Sequence, residues 1–97
     1  MLIFDDTDLM LARGKYSTLN AEHREIMKKL QMLTGSLSSV SAQVLYGVQP
    51  KDESQDIDVS AAIGMGRGLL DEIDRCVMRI AELAKQRTAL KPIAWPR

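Results

Sequence analysis

One cysteine, three prolines and four aromatic residues (one Phe, one Trp and two Tyr) are all that the 97 residues hold of those types. A lone cysteine, Cys76, excludes an intrachain disulfide, and with it the stapled secreted scaffold; a reducing interior is the matching expectation. Few aromatics and few turn formers argue against a β-sandwich or barrel, which needs repeated strand and turn signals. Excess charge of one sign is also missing. Thirteen basic and thirteen acidic residues cancel, so no global field draws the chain to nucleic acid or to an anionic membrane. The start, MLIFDDTD, lacks the basic residues and longer apolar stretch of a secretory signal, and the expected location is cytoplasmic, or host-cytoplasmic for a phage or mobile-element protein.

A further absence is local. From Leu30 to Pro50 the sequence LQMLTGSLSSVSAQVLYGVQP carries no charge over 21 residues, although 27% of the chain is charged. Its serines, glutamines and glycines make it too polar to span a membrane. An uncharged stretch with helical periodicity is instead expected to touch protein around most of its circumference.

What is present is heptad spacing. Leu19, His23, Ile26, Leu30, Leu33, Leu37, Val40 and Val44 follow alternating steps of four and three, and so do Val59, Ile63, Gly66, Leu70, Ile73, Val77, Ile80 and Ala84. A parallel row at Ala62, Leu69, Cys76, Leu83 and Leu90 widens the second apolar face. The predicted fold is all-α: a short N-terminal helix (6–13) capped by Asp5, Asp6 or Thr7 and ended by Gly14, then a long antiparallel helical hairpin. Its helices are expected at 20–46, capped by Asn20, and at 58–90, capped by Asp56, Asp58 or Ser60; the loop covers 47–57 and an extended tail 91–97. Assembly into an oligomeric helical bundle is expected, with Leu30, Leu33, Leu37, Val40, Val44, Ile63, Leu70, Ile73, Val77 and Ile80 as its core. In the antiparallel register Val40 falls opposite Gly64, Leu37 opposite Gly66, Leu33 opposite Leu70 and Ile26 opposite Val77. Three helical glycines cost about 3 kcal/mol together relative to alanine, which close helix approach is expected to offset.

Candidate sites are few. GMGRG, residues 64–68, is first a close-packing surface; its alternative is anion binding between subunits by Arg67, Tyr16 and the amides of Gly64, Gly66 and Gly68, although neither phosphate-loop nor dinucleotide spacing is met. His23 and Cys76 read as a polar seam residue and a packed thiol rather than as metal ligands. Asp71, Glu72 and Asp74 beside Arg75 and Arg79, like Glu25 with Lys29, read as surface ion-pair formers. After Glu82 every charge is positive, and Lys85, Arg87 and Lys91 with Trp95 form the candidate partner-binding set. Pro92 and Pro96 are expected to stop the helix, and the tail either fills a partner's pocket with Trp95 or folds back near Asp5, Asp6 and Asp8.

Two short stretches resemble known families. LTGSLSSVSAQVLYG resembles the turn and recognition helix of helix-turn-helix repressors, with Gly35 in the turn, but only Gln43 could read a base. Tyr16 to Leu19 leading into a capped helix resembles small phage hairpin proteins that sequester cyclic nucleotides; the match covers under a fifth of the chain, and Gln31 stands where a phosphate-binding lysine would be expected. Together these observations predict a non-enzymatic protein-interaction module with no cofactor, acting as a regulator, adaptor or inhibitor and partnered by itself and by another protein. The alternatives are an oligomeric protein that sequesters a small anionic ligand such as a nucleotide, and a DNA-binding regulator.

Overall fold

The computed structural model describes residues 6–48 and 59–96. They form two α-helices, α1 (Asp6–Val48) and α2 (Ser60–Ala94), with no strand among the described residues. The chain is all-α, a helical hairpin. The loop expected over 47–57 is corrected at its start, because Gly47 and Val48 still belong to α1. The rest of that loop, the caps offered by Asp5, Asp56 and Asp58, and Arg97 lie outside the described residues.

The separate helix expected at 6–13 does not exist. α1 continues through Gly14 and Asn20, and no glycine adopts a positive φ among the described residues. Thr18 Oγ1 donates to the Gly14 carbonyl at 3.0 Å, bridging the residues where a break was expected. The heptad explains the continuity: Leu9, Ala12 and Tyr16 extend the stripe of Leu19 toward the N-terminus and are buried or half-buried. Covering them outweighs the roughly 1 kcal/mol that a mid-helix glycine costs.

α2 likewise overruns its expected end. Lys91, Pro92, Ile93 and Ala94 are helical, so the tail expected from residue 91 is corrected: the helix runs to Ala94. Pro92 has no N–H for the carbonyl four residues back, but in the last turn that is a single lost bond. Ala94 is fully buried, and its carbonyl oxygen, one of the unsatisfied acceptors at a helix end, receives Arg13 Nε at 2.8 Å.

The chain divides into two compact units, one from the described residues of 1–28 and 77–97, the other from those of 29–76. In the first, α1 and α2 run antiparallel: Arg13 meets Ala94, Asn20 meets Arg87 and Glu22 meets Arg79. Ala12, Leu19, Leu83 and Ala94 form its buried core. Arg79 Nη2 donates to both Glu22 oxygens, at 2.8 and 3.0 Å, while Nη1 pairs with Glu82 at 3.1 Å. The hydrogen bonds that Arg79 donates, to Glu22 first and then to Glu82, raise its pKa above the ordinary value by holding the charged form. The partners expected for Arg79 among its neighbouring acids are thus corrected to Glu22 and Glu82. Glu25 pairs with Lys28, at 3.1 Å, rather than with Lys29.

In the second unit Leu33, Val40 and Cys76 are buried, and Leu30, Leu37, Val44 and Ile73 are half-buried. A methyl group placed on Gly66 would lie 3.5 Å from Val40 Cγ1 and 3.9 Å from Leu37 Cδ1. Leu37 therefore faces Gly66 as expected, whereas Val40 also faces Gly66 rather than Gly64. A methyl on Gly64 or Gly68 would meet nothing within 4 Å, so close approach explains one glycine of GMGRG and not three.

The seam of α2 is also corrected. Its covered stripe is Val59, Ala62, Gly66, Leu69, Ile73, Cys76, Ile80, Leu83, Arg87, Leu90 and Ala94. The expected members Ile63, Leu70 and Val77 are 40%, 53% and 51% exposed, and Ala84 is exposed too. The two rows differ by one residue, about 100° around the helix, and both repeat every seven. Periodicity cannot choose between them, and α1 covers only the first.

Candidate functional site

The aromatic corner at the end of α2 lies wholly within the first unit. Arg13, Tyr16 and Asn20 occupy positions i, i+3 and i+7 of α1, which places them on one face. Each meets the last two turns of α2 or the residue after them. The Trp95 ring stands edge-on to Tyr16, centroids 5.0 Å apart and planes at 88°. The Arg13 guanidinium lies 5.8 Å from the Trp95 centroid while its Nε holds the Ala94 carbonyl. Arg87 Nη1 donates to Asn20 Oδ1 at 2.9 Å. The backbone N–H of Trp95 donates to the Lys91 carbonyl at 2.9 Å, carrying the helical path one residue past Ala94.

Trp95 is therefore folded back, through Arg13 and Tyr16, yet 48% of it stays exposed. Beside it is a depression of about 520 Å³ lined by Thr88, Lys91, Pro92, Trp95 and Pro96. Indole and two proline rings supply stiff apolar lining, and Lys91 is the one charged residue among the lining residues. Such a surface can seat an apolar side chain that has a carboxylate beside it.

The other expected site residues disperse. Lys91 belongs to the corner. Arg87 is half-buried and turned onto Asn20, and Lys85 is exposed six residues before Lys91, about 120° away around the helix. In the alternative anion site, Gly64, Gly66, Arg67 and Gly68 lie inside α2, where Ile63 N–H already bonds the Val59 carbonyl. The amides of residues 64–68 are committed to the helix, which was expected over 58–90, and are not free to bind an anion. Tyr16 is engaged with Trp95. The resemblance to a helix-turn-helix is overturned as well, because Gly35 sits within unbroken α1 where a turn was required.

Sequence reasoning missed Arg13 and Asn20. Their positions beside the seam residues Ala12 and Leu19 were the available signal, since residues flanking a seam reach the neighbouring helix. Cys76 is buried and His23 half-buried, each on the covered stripe of its helix. Among the described residues there is no group of three His, Cys, Asp or Glu side chains that could hold a metal ion, and no helix long and apolar enough to cross a membrane.

No family model matches the chain, and neither a curated protein nor a solved structure is significantly similar to it.

Proposed function

We propose that this chain is a non-enzymatic, cytoplasmic interaction module that self-associates through its apolar helix faces and engages a partner protein at the aromatic corner, as a regulator, adaptor or inhibitor. The carrying observation is the half-exposed Trp95, packed against Arg13 and Tyr16 beside a depression that Lys91 helps to line. A large aromatic already packed on two neighbouring side chains contributes contact area while losing less freedom on binding than a free one, a character of interface anchors. The uncovered apolar row on α2 supports self-association, because exposed leucine, isoleucine and valine at regular spacing gain from a second cover.

The test is affinity capture with the wild-type chain, Trp95→Ala and Lys91→Glu, with Lys85→Glu as a charge control away from the corner. A protein retained by the wild type and by Lys85→Glu, but lost from both corner variants, supports the reading. Identical capture by all four proteins overturns the corner as the partner site.

A further inference from the structure

In the second unit, Ile63 and Leu70 are exposed at 40% and 53%, seven residues apart on α2. Arg67 and Asp74 each follow one of them by four residues, about 40° around the helix. Both are exposed, and neither has an ion-pair or hydrogen-bond partner among the described residues. In an antiparallel helix pair the matching flank of α1 carries Thr34 and Ser41, four residues after Leu30 and Leu37. Their hydroxyls turn back on their own helix: Thr34 Oγ1 donates to the Gln31 carbonyl at 3.0 Å and Ser41 Oγ to the Leu37 carbonyl at 2.9 Å. This flank is uncharged, and its hydroxyls need no water to satisfy them, so it can be covered at low cost.

We propose that a second copy of this chain covers this face, its α2 antiparallel to the first about a two-fold axis at Leu70. The inference rests on the self-association part of the reading above and names its face and register. The two leucines then meet on the axis, and Ile63 extends the apolar strip. The charges select the orientation. Along the helix Arg67 lies about 4.5 Å before Leu70 and Asp74 about 6 Å after it. Reversal by the two-fold brings the second copy's Asp74 to within about 1.5 Å of the level of Arg67, and the same pair forms again across the axis. A parallel pairing would instead set Arg67 level with Arg67 and Asp74 level with Asp74. The chain is thus charge-complementary to itself in one direction only.

Light scattering and sedimentation equilibrium on the full chain test this, with helicity followed by circular dichroism. The wild type should form dimers. Arg67→Asp and Asp74→Arg alone should each weaken dimerisation by at least about tenfold, since each sets like charges together twice, and the double variant should recover wild-type affinity. Leu70→Ala, at a position exposed in the single chain, should keep its helicity and lose the dimer. A dimer indifferent to both single reversals and to Leu70→Ala overturns the register while self-association stands. A double variant that stays weak overturns the Arg67–Asp74 pairing. A wild type that is monomeric at every concentration overturns both the register and the self-association reading.

Discussion

Trp95 meets Tyr16 edge to face at 5.0 Å between ring centroids, 79 positions apart in the chain. The contact ties the end of α2 to the face of α1 that carries Arg13, so the corner proposed as a partner site is also a closure of the first unit. A double-mutant cycle on Trp95→Ala and Tyr16→Ala should give a coupling energy of about 0.5–1.5 kcal/mol in urea unfolding. Strictly additive losses would mean that the rings do not touch in solution.

Arg13→Met should loosen the same corner without removing a ring. It deletes the hydrogen bond to the Ala94 carbonyl and a cation at the negative end of α2, together worth about 1 kcal/mol. The readouts are faster amide exchange in the last turn of α2 and a red-shifted emission from Trp95, the single tryptophan. Unchanged exchange and emission would show that the contact does not cap the helix.

Leu83 is the one large side chain in the described residues with no exposed surface. Leu83→Ala should cost about 2–5 kcal/mol, whereas Met78→Ala, on the exposed side of α2 in the same unit, should stay within about 0.5 kcal/mol. Comparable losses at the two positions would place the core elsewhere.

The glycines should divide by their surroundings. A methyl group at Gly14 or Gly64 would meet nothing within 4 Å, so alanine there should stabilise by about 0.5–1 kcal/mol through helix propensity. At Gly47 it would lie 2.8 Å from Val59 Cγ1, and a β-branched side chain has little freedom to move away. Gly47→Ala should therefore lower the melting temperature while the other two raise it. A rise at all three positions would show that α1 and Val59 are less tightly apposed.

Much of the fold was legible from spacing. The steps of four and three from Leu19 to Val44 are the covered stripe of α1, and the pairing of Leu37 with Gly66 follows from folding two such helices antiparallel. Helix ends were not legible, because Gly14 and Pro92 carry local penalties of only a few kcal/mol, which burial of Leu9, Ala12 and Ala94 can outweigh. The corner was half legible: Trp95 and Lys91 stood out by residue type, but Arg13 and Asn20 act through position.

Composition and periodicity alone determine that this chain is helical, that its middle is uncharged and that α2 carries two adjacent apolar rows. Which row turns inward was settled by the tertiary pairing, because both rows have the same seven-residue repeat and α1 covers only one. The row with Leu83 is inside and the row with Leu70 is outside. Local sequence sets what each helix can bury, and the neighbouring helix sets which part of it is buried.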